Sequence, residues 1–122
     1  MHAEDSITSA ELLVRYARGV REFRNLEVSD ADETPLVDAD LRGIVIEDCF
    51  VTCDFTGADL RGAQVHANVK TCIFANADLR DADFAGSALC STTFIGAKME
   101  GANFEDAYYH GIDFAAGYLP EW

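Results

Sequence analysis

The side chains best equipped for chemistry in this sequence are four cysteines, three histidines and one short acidic run. Cys49, Cys53, Cys72 and Cys90 contain no C-x-x-C pair, the spacing at which thiolates usually hold zinc, so no metal ligand is assigned among them. Cys53 and Cys72 are read as compact core side chains, and the cysteines are expected as thiols in a reducing cytoplasm. His2, His66 and His110 are scattered, with no nucleophile or carboxylate partner at a recognisable spacing. No catalytic residue and no cofactor is therefore assigned, and the chain is not read as an enzyme. Asp30, Asp32 and Glu33 lie in the stretch 29–35, Ser-Asp-Ala-Asp-Glu-Thr-Pro. Asp-x-Asp-Glu hints at calcium, but the twelve-residue pattern with its Gly and final Glu is missing. These three acids are instead the candidate partner-binding loop, because a loop on a rigid scaffold commonly carries recognition.

The scaffold is written in a repeat. From Ala39 the chain reads ADLRG, CDFTG, ADLRG, ADLRD, ADFAG, AKMEG and ANFED. A large apolar residue recurs every five positions, with a small one two places before it. A period of five is neither the 3.6 of a helix nor the 2 of a strand. Stacked in fours, the centres form four columns. The first is Leu41, Leu60, Leu79 and Met99, with Leu119 a candidate to continue it. The second is Ile46, Val65, Phe84 and Phe104, and the third is Phe50, Val69, Leu89 and Tyr109. The fourth, Phe55, Phe74, Phe94 and Phe114, is a column of phenylalanines. Leu41, Phe55, Leu60, Phe74, Leu79, Phe94, Met99 and Phe114 are the expected structural core. One step is ambiguous: Phe50 inward takes Asp48 inward, whereas Val51 inward takes Cys49. Phe50 is preferred because it matches the four-residue step from Val65 to Val69.

The A(D/N)LXX pattern over residues 36–114 resembles the pentapeptide-repeat family. That resemblance implies an all-β solenoid, a right-handed quadrilateral β-helix in which four pentapeptides make one square coil. About five coils are expected, in a single domain spanning 1–122, with the coils over 21–114 and a loop at 29–35. The stretch 11–23 is similar to the lead-in of bacterial members of the family, many of them cyanobacterial.

Both ends of a stack of coils need closing, because unpaired strand edges invite polymerisation. Thr8 and Glu11 have capping-box spacing, Ile7 and Leu12 fit a hydrophobic staple, and Gly19 suits a helix C-terminus. A capping helix is expected at 9–18. Residues 115–122 are read as a C-terminal cap; this aromatic stretch either folds over the last coil or pairs with another copy. The chain is thus expected as a monomer or as a homodimer through its C-terminal end.

Net charge adds a constraint on partners. The 122 residues carry −13, and from Asn25 onward there are 18 acidic and 5 basic residues. Such a surface repels nucleic acid and membrane headgroups and attracts basic proteins. Asp40–Arg42, Asp59–Arg61 and Asp78–Arg80 stack on the first face, with Lys98 and Glu100 in reverse order, as a structural charge ladder. The function expected is a non-enzymatic interaction or scaffold module. The alternative, implied by the resemblance, is a DNA mimic that protects or inhibits a type II topoisomerase such as gyrase.

Overall fold

The computed structural model describes residues 5–89 and 92–107. The expectations for His2, Cys90, Tyr109, His110, Phe114, Leu119 and the stretch 115–122 fall outside the described residues. The chain opens with β1 (Asp5–Thr8), α1 (Ser9–Ala17), β2 (Glu22–Arg24), β3 (Leu26–Ser29), β4 (Val45–Thr52) and β5 (Gln64–Asn68). All pairings are parallel, in the order β1-β3-β4-β2, with β5 also on β4. Outside these strands the coils are joined by single parallel bridges, such as Asp40 to Asp59 to Asp78 to Lys98. The spacing of these bridges, 19 or 20 residues, is one circuit of the solenoid.

The five-residue period has a local cause. At each corner the amide of the small residue returns to the carbonyl of the centre three positions earlier. Ala58 N–H donates to Phe55, Ala63 to Leu60, Ala77 to Phe74 and Ala82 to Leu79, at 2.9–3.1 Å. The residue before each of these amides, Gly57, Gly62, Asn76 and Asp81, has positive φ. A turn with that demand at its third position selects Gly, Asn or Asp, the residue types at these corners. The amide of the next extended residue then pairs with the neighbouring coil, as Leu60 does with Asp78 at 2.8 Å.

Inside, the centres are buried in their columns: Leu41, Phe55, Leu60, Phe74, Leu79, Phe94 and Met99 are all in the core. Phe55, Phe74 and Phe94 stack with centroids 5.0 and 5.4 Å apart and rings nearly parallel. Phe84 and Phe104 make a second stack at 5.3 Å, and the two stacks meet edge to face. Small inward residues sit beside them and hydrogen-bond the previous coil: Ser87 Oγ donates to Val65 O, and Thr92 Oγ1 to Val69 O.

The ambiguous step resolves against the sequence-based preference. Cys49 and Val51 are buried, Asp48 is exposed, and Phe50 faces outward half-buried. Asp48 occupies the corner after Ile46 with φ 55°, so the next centre is Val51, paired with Val28 in β3. The reason is solvation: an inward Asp48 would bury an unpaired carboxylate, whereas at an Asx-tolerant corner it stays in water. The four-residue steps are therefore Val51 to Phe55 and Val65 to Val69, on successive faces. The register between β4 and β5 shifts at this point, between Glu47 and Phe50.

At the N-terminal end, α1 begins where the spacing places it. Thr8 accepts a hydrogen bond from the Glu11 amide at 3.1 Å, and Gly19 has φ 102°. Leu12 is buried, while Ile7, Leu13 and Tyr16 pack partly against the core. The Tyr16 hydroxyl donates to the Arg42 carbonyl at 2.7 Å, and Arg21 stacks on the Tyr16 ring at 3.8 Å. β1 had no signal in the sequence; it pairs with β3, Ile7 opposite Val28.

Candidate interaction surface

The acidic loop divides in two. Asp30 is half-buried: Ser9 Oγ donates to one carboxylate oxygen at 2.6 Å, and the Asp54 amide to the other at 2.9 Å. It fastens the start of α1 to the next coil, so it is a strut and not a free recognition group. Asp32 and Glu33 are exposed, form no ion pair among the described residues, and border a shallow recess with Thr8, Ser9, Ala10 and Pro35. That leaves two of the three candidate loop residues available to a partner.

The charge ladder is present along the first face. Arg42 is bidentate to Asp40 at 2.8–2.9 Å and reaches Asp59 at 3.8 Å. Arg61 repeats this on Asp59 and reaches Asp78 at 3.7 Å, and Arg80 closes on Asp78 at 2.6 Å. The hydrogen bond from Arg42 lowers the Asp40 pKa to about 2, and Arg61 and Arg80 lower Asp59 and Asp78 in the same way. Carboxylates committed to arginines in this geometry are poor phosphate stand-ins.

His66 corrects the reading that the histidines lack carboxylate partners. Its Nδ1 lies 2.5 Å from Glu47 Oε2 and its Nε2 3.3 Å from Asp83 Oδ2, so one imidazole bridges two carboxylates from the coils on either side of its own. Burial alone would lower its pKa, but the hydrogen bonds to Glu47 and Asp83 outweigh that and raise it. Glu47 lies 19 residues before His66, the solenoid circuit; reading polar residues at that interval would have found the pair.

The three described cysteines belong to the interior. Cys49, Cys53 and Cys72 are buried free thiols in contact with backbone carbonyls of Phe23, Val28 and Val51. Burial raises all three thiol pKa values, which suppresses the reactive thiolate. Among the described residues, no three His, Cys, Asp or Glu side chains are grouped to hold a metal ion. No helix among them is long and apolar enough to cross a membrane.

Parallel coils, corners every five residues and a filled interior define a β solenoid built on a five-residue repeat. The family model for pentapeptide repeats matches residues 72–108 in eight copies, and that stretch carries the repeats of this family. No curated protein matches. Among solved structures, trypsin-treated QnrB1, a plasmid-mediated fluoroquinolone resistance protein, is similar in fold, with TM-score 0.59 and 22% identity. The match covers 81% of this chain and 48% of that one, so the chain spans about half that structure's length. A pentapeptide repeat protein from Nostoc PCC 7120 is 28% identical over 93% of this chain and 90% of its own, with TM-score 0.40. HetL from the same strain, involved in heterocyst differentiation regulation, is 18% identical over 73% of this chain and 52% of its own, with TM-score 0.33.

Proposed function

We propose that this protein is a non-enzymatic binding or scaffold module for a protein partner, one of basic character. The observation that carries the reading is the distribution of side chains. The repeat fills its own interior with Phe, Leu and Val, leaving recognition to the outer faces. Those faces hold almost all of a net charge of −13. The framework we infer is a right-handed quadrilateral β-helix of about five coils in one domain over 1–122. In it α1 caps the N-terminal end, and the C-terminal end is either capped or paired with a second copy. A cytoplasmic setting suits its buried free thiols. Affinity capture should retain a partner on the wild type and lose it on a variant with Ala31–Pro35 replaced by a regular pentapeptide. Equal capture by both would remove Asp32 and Glu33 from the site.

A second reading, a DNA mimic acting on a type II topoisomerase, is favoured by the charge. Against it stands the first face, whose Asp residues are already paired with Arg42, Arg61 and Arg80. The likeness to QnrB1 is one of fold alone. This reading requires salt-sensitive binding to gyrase. A blank gyrase pull-down at low ionic strength, or a strictly monomeric protein in light scattering, would count against it.

A further inference from the structure

The bulge that keeps Asp48 in water also leaves an aromatic ring on the surface. Of the seven described phenylalanines six are buried; Phe50 alone faces outward, half-buried. In its outward row the neighbours are Glu27 on one side and Asn68, then Ala88, on the other. Asn68 and Ala88 are short, and with Ala67 and Gly86 they leave a cleft of about 380 Å³ walled by Phe50, His66 and Asp48. Of the three acids near Phe50, Glu27 lies outside the cleft lining and accepts a hydrogen bond from Ser6 Oγ at 3.2 Å. Glu47 is engaged by His66, whereas Asp48 forms no ion pair among the described residues.

A partly exposed ring next to an uncommitted carboxylate complements a guanidinium. The planar cation stacks on the aromatic face, and its N–H fork meets the carboxylate. Lysine, a compact and strongly hydrated cation, gains less from the same pair of groups. We propose that the Phe50–Asp48 cleft receives an arginine side chain from a basic, extended segment of the partner. This rests on the binding-module reading and gives it a site. The surrounding negative charge steers such a segment in, and the ring fixes where it lands.

The test is an NMR titration of the isotope-labelled full chain with a short Arg-Gly-Arg peptide amide and with its Lys-Gly-Lys counterpart. Saturable shifts centred on Phe50, Asp48 and Asn68, stronger with the arginine peptide, are expected. Phe50→Leu should weaken binding roughly fivefold or more. Asp48→Asn keeps a residue that tolerates positive φ, and should weaken binding and flatten its salt dependence. Amide spectra of both variants, unchanged away from the cleft, show that they are folded. Shifts spread evenly over the acidic faces, or an affinity untouched by Phe50→Leu, would overturn the cleft. Shifts confined to Asp32 and Glu33 would overturn it too, yet leave the binding module standing. Saturable binding at Phe50 alongside failed capture of any protein would instead uphold the cleft chemistry and sink the broader reading.

Discussion

Gly57 shows how tightly the corners stack. It and Gly43 both have positive φ, but a methyl on Gly43 would meet nothing, whereas one on Gly57 would run into Asp38 Oδ1. Gly43→Ala should cost about 1 kcal/mol, from the left-handed backbone alone. Gly57→Ala should cost about 0.5–1.5 kcal/mol more, because the Asp38 side chain must leave its rotamer. Urea unfolding of the two variants measures the gap, which an Asp38→Gly background should close. Val51 and Phe50 form a second pair of neighbours with opposite fates. Val51→Asp should lose about 3 kcal/mol or more through a buried carboxylate. Phe50→Asp should lose less, about 1–2 kcal/mol, since the ring is already partly solvated. Comparable losses from the two would rule out a register with Val51 inside and Phe50 outside. That register was only half legible from the residues. Both choices put one apolar residue inside, and the deciding fact, the left-handed corner at Asp48, is a backbone property.

At the scale of the elements, two polar ladders respond to pH in opposite directions. The first-face aspartates have pKa values held down by Arg42, Arg61 and Arg80. A depressed carboxylate pKa contributes stability that is present above the unfolded value, about 3.9, and fades as pH falls through the folded value. For Asp40 that decline runs from about pH 4 to about 2. Arg61→Met, which frees Asp59 and Asp78 from a shared partner, should flatten the acid limb of a stability–pH curve. His66 works the other way. Its raised pKa contributes stability fully present below the unfolded value near 6.5, and lost as pH rises through the folded value. His66→Gln should remove that alkaline loss, and an NMR titration of the imidazole should give a midpoint above 6.5. The Asp–Arg ladder was readable because its members share one motif in successive coils. Glu47 and His66 share one position of the repeat a circuit apart, whereas Asp83 stands at another, so only the coil geometry brings the third member of the bridge in.

For the whole molecule, stability passes from coil to coil, since each touches mainly the coils above and below it. Phe74 sits at the junction, stacked between Phe55 and Phe94 and edge-on to Phe84. Phe74→Ala should cost about 3–5 kcal/mol, and hydrogen exchange should report opening in the coils on both sides. A loss confined to one coil would argue against that coupling. The sequence by itself determined the five-residue corner, the inward columns, the first-face ladder and the start of α1. Each depends on residues within one pentapeptide, or on the same position repeated, so each is visible in one dimension. Only the tertiary structure decided which of Phe50 and Val51 enters the core, that β1 joins the sheet, and that Asp30 is tied to Ser9. It also decided that the cysteines Cys49, Cys53 and Cys72 meet backbone carbonyls of the preceding coil and that Asp83 joins the His66–Glu47 pair. These depend on partners one circuit away, where small differences in register choose which side chains meet.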